Sequence, residues 1–220
     1  MLPRHWLVAI ATVVALAIGV WLLFQNTGRE PATASATASA TVQTATVLPE
    51  PRALPEFQLV DQNNQPFTRE SLKGRMSLLF FGFTHCPDIC PATLQQLAMA
   101  RDRVAATLPG RELASLPEII LISVDPARDT PEILKRYVEY FGEGIAAATG
   151  PPEDLLVLTS ALGIFFEPMP AGDPAGADYT VNHSTAVLVV DADARLQAIF
   201  SAPHSIDSFA SDLPLLMASR

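Results

Sequence analysis

Residues 76–91 read MSLLFFGFTHCPDICP, and this stretch decides the fold. Met76–Phe83 (MSLLFFGF) is a nearly continuous apolar run, as expected of a strand buried on both faces. Both cysteines of the chain follow it, Cys86 and Cys90, four positions apart. Each precedes a proline, which steers it away from α conformation, so a helix is expected to open at Pro91. It should run to about Thr107, with Leu94, Leu97, Ala98, Arg101 and Val104 stacked at helical spacing. Pro87-Asp88 suits the centre of a type I turn that folds Cys86 back toward Cys90. A helix N-terminus favours negative charge, so at least Cys90 is expected to be unusually acidic and rich in thiolate.

A close, activated cysteine pair can cycle between dithiol and disulfide or hold a soft metal. An inert disulfide is the weaker reading, because a bond closing three intervening residues removes little loop entropy. Thiolates sharing a metal at zinc-like bond lengths stand roughly 4 Å apart, against about 2 Å in a disulfide. The C-x-x-x-C loop, one residue longer than the common C-x-x-C, tolerates that wider bite. Two ligands leave a metal site incomplete, so a third is needed.

Outward from this centre the chain reads as one α/β domain over residues 51–220. Phe57–Val60 and Pro66–Thr68 flank a turn-rich segment and suggest a hairpin. Glu118–Val124 (EIILISV) is a second buried strand, and Thr185–Asp191 and Leu196–Ser201 are strands joined by a turn. Thr130–Tyr140 is a helix with Thr130 as N-cap and Pro131 in its first position. Pro151–Leu162 is another, and Ser205–Met217 closes the chain with Pro214 disturbing its end. Strands alternating with helices, then a strand pair and a helix, predict a thioredoxin-like arrangement.

Trp6–Phe24 is nineteen residues without a charge, about 28 Å as a helix, with Trp6 and Trp21 near its ends. The run exceeds the apolar core of a cleaved signal, so residues 1–24 are expected to be a single transmembrane anchor. Arg4 keeps the N-terminus cytoplasmic and everything after Phe24 is exported. No cysteine near residue 24 offers a lipid attachment. A short N-terminal region without an Arg-rich presequence points to a bacterial inner membrane, with the domain in the periplasm. Residues 25–50, mainly Ala, Thr, Ser and Pro, read as a flexible linker.

The 220 residues carry 14 Lys+Arg against 23 Asp+Glu, a net charge of −9 that argues against a nucleic-acid binder. Two cysteines exclude a disulfide-built scaffold and a four-cysteine zinc site. Nineteen prolines argue against a long helical bundle.

Three motifs, Gly82–Pro91 (GFTHCPDICP), Ser123–Pro131 (SVDPARDTP) and Asp178–Ser184 (DYTVNHS), together resemble the Sco/SenC family over essentially the whole exported domain. The resemblance implies a membrane-anchored, thioredoxin-like, copper-binding protein that assists assembly of the dinuclear copper centre of cytochrome c oxidase. Its partners would be the copper-receiving oxidase subunit and other periplasmic copper chaperones. Cys86 and Cys90 match the family's cysteine ligands and His183 its histidine ligand. Where the family often has Asp before that histidine, this chain has Asn182, whose amide is expected to orient the ring without raising its basicity.

The residues support His183 independently. It precedes a buried strand, at the place near the cysteines where thioredoxin-like redox enzymes usually carry a cis-proline, and no proline lies between Pro174 and Pro203. Two thiolates and an imidazole suit Cu(I) and Cu(II). His85 is expected to pack or hydrogen-bond in the cysteine loop, His204 to be a surface or capping residue, and His5 to flank the membrane. The five methionines form no Met-x-x-Met cluster. Arg128 is expected to pair with an acid, and Asp125 is a candidate to support the site or a partner.

Three functions follow. A copper-delivery protein, without catalytic turnover, would need His183. A thiol–disulfide reductase keeping the recipient's cysteines ready for copper would need the redox pair Cys86 and Cys90 but not His183. A peroxide-handling protein or redox sensor would show oxidation-dependent signalling.

Overall fold

The computed structural model describes residues 18, 21, 41–107, 115–170 and 179–219. The chain divides into two compact units, residues 1–40 and 41–220. The expected anchor lies almost wholly outside the described residues, as does the linker up to residue 40. Among the described residues no helix is long and apolar enough to cross a membrane.

The second unit is built on an eight-stranded sheet. In chain order the strands are β1 (Thr46–Ala53), β2 (Gln58–Asp61), β3 (Pro66–Thr68), β4 (Ser77–Gly82), β5 (Glu118–Ser123), β6 (Ile145–Thr149), β7 (Phe166–Pro170), β8 (Tyr179–His183), β9 (Val187–Val190) and β10 (Arg195–Phe200). The helices are α1 (Ile89–Thr107), α2 (Pro131–Glu139), α3 (Pro152–Leu162) and α4 (Ile206–Ala218). The sheet order is β1-β10-β9-β4-β5-β6-β2-β3, while β7 and β8 form a separate two-stranded sheet. β4, β5 and β6 run parallel, and β9 lies antiparallel against β4. Every residue of β4 and β9 is buried, which is why both read as uninterrupted apolar runs. α1 packs against α4. The β4-α1-β5 and β9-β10-α4 halves make the domain thioredoxin-like.

Local signals account for several boundaries. Thr130 Oγ1 accepts the Ile133 N–H and Pro131 opens α2, while Ser205 caps α4. α4 runs through Pro214 to Ala218 instead of failing there, because Leu213, Leu216 and Met217 bury its last turns. α1 begins two residues earlier than its prolines suggest. The Ala92 N–H reaches the Asp88 carbonyl at 3.1 Å, and Pro91 falls in the first turn, where a missing N–H costs nothing.

The domain also begins earlier than its composition suggests. β1 lies across residues read as linker, and pairs antiparallel with β10 from Thr46↔Ile199 to Ala53↔Arg195. It is almost wholly exposed, so it has no apolar alternation; β10 supplies the hydrogen bonds that order it. Just before it, the fully buried Asp212 of α4 accepts the N–H groups of Gln43, Thr44 and Ala45 at 3.0, 2.7 and 2.9 Å. β6 and the β7–β8 pair are further elements without a strong local pattern.

Candidate metal centre

β4 ends at Gly82, and the next six residues turn the chain into α1. Cys90 is fully buried in the first turn of that helix, and Cys86 is half-buried in the loop before it. The Cys90 N–H points to Cys86 Sγ at 3.4 Å, so the first sulfur caps the helix that carries the second. Gly82 makes room for them: a Cβ there would sit 2.9 Å from Cys90 Sγ. Both thiols are free.

His183 ends β8 on the same strand face as Tyr179 and Val181. Its Nε2 is 3.3 Å from Cys90 Sγ, and its Nδ1 is 3.0 Å from the Ser184 carbonyl. A carbonyl can only accept, so Nδ1 carries a proton and Nε2 is the nitrogen turned to the sulfurs. Nε2 donates to a thiolate when the ring is charged and offers its lone pair to a metal when it is neutral. The rings of Phe80 and Phe83 meet the imidazole edge-on at 6.2 and 5.9 Å. The structure thus brings the three sequence candidates together, with ligand atoms all within 4.8 Å of one another. Ligands about 2.0–2.3 Å from one ion stand up to roughly 4 Å apart, so small side-chain rotations close this set on an ion.

The acidities reverse the expectation for the pair. Cys86, not Cys90, is the acidic thiol, lowered to about 4. The hydrogen bond from the Cys90 thiol contributes most, burial opposes it, and His183 and the backbone N–H groups of Asp88 and Cys90 add to the lowering. Cys90 is pushed up by its bond to Cys86 and by burial. Position in the helix alone favours Cys90; the hydrogen bond that Cys90 donates to Cys86, with the deeper burial of Cys90, decides otherwise.

Asn182 does not orient the ring. It is exposed on the opposite face of β8, and the Ser184 carbonyl takes that role. His85 hydrogen-bonds Thr84 Oγ1 at 3.1 Å within the loop, as expected. His204 is neither a surface residue nor a cap: its half-buried ring packs on Phe209 and its Nε2 reaches the Thr185 carbonyl at 2.6 Å. Arg128 does pair with an acid, its Nε 2.5 Å from Asp125 Oδ2. Sequence reasoning missed Tyr137, whose hydroxyl is buried without a partner among the described residues. Burial and the nearby charges of Cys90, Cys86 and Asp129 raise its pKa and make the phenol harder to ionise. It also missed Tyr179, although the residue stands in the DYTVNHS motif, four positions before His183 on the same strand face.

Comparison with known proteins places this arrangement. The chain is 44% identical over 171 residues to a Stutzerimonas stutzeri protein named for copper binding, covering 78% of this chain and 80% of that one. It is 33% identical over 157 residues to a SCO2-like protein of Rickettsia felis, covering 70% and 73% of the two chains. Bradyrhizobium japonicum ScoI, solved with copper bound, is 32% identical with a TM-score of 0.64, covering 74% of this chain and 99% of that one. Arabidopsis thaliana ScoI, also with copper, is 28% identical with a TM-score of 0.69, covering 76% and 99%. The SCO1/SenC family model matches residues 46–218. Since that match runs from the first residue of β1 to the last of α4, the chain belongs to the SCO1/SenC family.

Proposed function

We propose that this protein carries one copper ion as cargo, held by the sulfurs of Cys86 and Cys90 and by Nε2 of His183, and passes it to the copper-receiving subunit of cytochrome c oxidase. The observation that carries the reading is the 3.3 Å approach of His183 Nε2 to Cys90 Sγ, which completes the cysteine pair. Soft thiolates suit Cu(I), and the added imidazole accommodates Cu(II). The copper-bound ScoI relatives support the choice of metal, and the family resemblance supports the recipient. The uncharged run at residues 6–24 supports a bacterial inner-membrane tether with this domain in the periplasm.

A second reading has its own observation, the half-exposed Cys86 thiol with its lowered pKa. Its thiolate would attack a disulfide of the recipient, releasing one thiolate. Cys90 would then displace the other, leaving this pair as a disulfide and the recipient reduced to two thiols. Oxidation of the pair also removes two copper ligands, so exchange and release are compatible.

The test is anaerobic titration of the reduced full chain, in detergent, with Cu(I) and Cu(II), for wild type and His183→Ala. One tight equivalent that weakens strongly in His183→Ala supports delivery. Indifference to that change, with dithiol exchange intact, leaves the reductase.

A further inference from the structure

His183 rides on the β7–β8 hairpin, which shares no backbone ladder with the eight-stranded sheet that positions the cysteines. The main sheet takes hold of the chain again only at Val187, paired with Phe80, so it anchors the segment after His183 but not β8 itself. The segment between β5 and α2 touches both halves of the site. On one side the fully buried Asp129 accepts the N–H of Thr84 at 2.9 Å and its hydroxyl at 2.5 Å, two residues before Cys86. The Ser123 hydroxyl, 2.6 Å away, holds Asp129 in turn.

On the other side the same segment grips Tyr179, the first residue of β8. The Tyr179 hydroxyl donates to Asp125 Oδ1, and Arg128 Nη1 donates to the Tyr179 carbonyl at 2.9 Å. Arg128 Nε occupies the other Asp125 oxygen. The guanidinium carbon lies 3.7 Å from the Tyr179 ring centre and 5.7 Å from that of Phe83, whose ring edges His183. Arg128 Nη2 is buried with no hydrogen-bond partner among the described residues. A surface ion pair would keep that nitrogen in water; here it is given up so that the cation stacks between two aromatic rings.

We infer that Arg128 and Tyr179 are positioning residues of the metal centre, which with Asp125 lock β8, and so His183, at the distance from the cysteines that one ion requires. The inference rests on the copper reading and deepens it, because it accounts for a histidine outside the main sheet meeting both sulfurs. The two residues lie outside the ligand set of Cys86, Cys90 and His183 and act through the placement of the imidazole.

The test uses the reduced full chain as wild type, Arg128→Ala, Arg128→Lys, Tyr179→Phe, His183→Ala and the Arg128→Ala/His183→Ala double variant. In the copper-free protein, NMR contacts between the His183 and Phe83 rings report placement without any metal. Arg128→Ala is expected to lose these contacts and to weaken Cu(II) binding about tenfold, the effect of removing a residue that orients a metal ligand. Arg128→Lys should not restore them, because an ammonium cannot bridge Asp125 and the Tyr179 carbonyl while stacking on the rings. Tyr179→Phe keeps the stack and the carbonyl but strips Asp125 Oδ1 of its donor, and should lose less than Arg128→Ala. The double variant should bind no more weakly than His183→Ala alone. Unchanged ring contacts in Arg128→Ala, or additive losses in the double variant, would overturn the inference. If wild-type copper binding proves indifferent to His183→Ala, the copper reading falls, and the ring contacts alone decide whether Arg128 places the imidazole.

Discussion

His183 Nε2 lies 3.3 Å from Cys90 Sγ, although the two residues are 93 positions apart. Cys90 is fixed by the first turn of α1, and His183 by a hairpin outside the main sheet. The metal centre is therefore a junction between two separately supported pieces, and changes to either support should reach the ion.

Gly82 is the first such support. In Gly82→Ala the new methyl would meet Cys90 Sγ at 2.9 Å, the Phe80 ring at 3.2 Å and Leu121 at 3.3 Å. All three neighbours are buried, so the strain has no easy outlet and the cost is about 1–3 kcal/mol. Thermal unfolding should show this loss, and copper affinity should fall with it. A variant of wild-type stability and affinity would mean that the Cys90 sulfur moves freely.

Cys86 should stay reactive in acid. With its pKa near 4, it is a thiolate above that pH and loses reactivity only as pH falls through it. Iodoacetamide should label Cys86 at a nearly constant rate from pH 8 down to about 5, and leave the buried Cys90 untouched, as read by peptide mass spectrometry. A rate that drops below pH 8, as for an ordinary thiol, would refute the proposed hydrogen-bonding from Cys90 and His183.

Asn182→Asp should change little. The side chain is exposed on the face of β8 away from the cysteines, and the Ser184 carbonyl already holds His183 Nδ1. Copper affinity is expected to stay within about threefold of wild type, as for an ordinary surface change. A shift of tenfold or more would return Asn182 to the site.

Asp212 should set the acid limit of the fold. Burial alone would raise its carboxyl, but the hydrogen bonds from the Thr44 hydroxyl and the N–H groups of Gln43, Ala45 and Thr44 outweigh it and lower it. A lowered folded value means stability that is complete above the unfolded carboxylate range and lost as pH falls through the folded one. Asp212→Ala should cost about 3 kcal/mol near neutral pH, since it strands N–H donors from a charged acceptor. The gap to wild type should close as pH falls below the ordinary carboxylate range in thermal melts. A gap independent of pH would show that packing, not charge, is what Asp212 supplies.

The amino-acid sequence by itself determined the β4–loop–α1 unit, the cysteine pair at its turn, and the helices and the more apolar strands around it, though not β1, β6, β7 or β8. Those features follow from short-range causes: an apolar run too continuous for an exposed strand, prolines that restrict their neighbours, and caps such as Thr130 and Ser205 within reach of the N–H groups they satisfy. The motif resemblance drew His183 into the same site, but no local pattern could place it 3.3 Å from Cys90. Tertiary structure alone decided which thiol is acidic, because helix position favours Cys90 whereas burial and shared donors favour Cys86. It also decided that residues 46–53 form a strand, since β10 provides the ladder that their own composition does not predict. And it decided that Asp125, Arg128 and Asp129 act together with Tyr179 and Thr84. The Arg128–Asp125 pair is local, but its contacts to Tyr179, and that of Asp129 to Thr84, cross between distant segments, where buried charge must be matched by whatever the fold brings near.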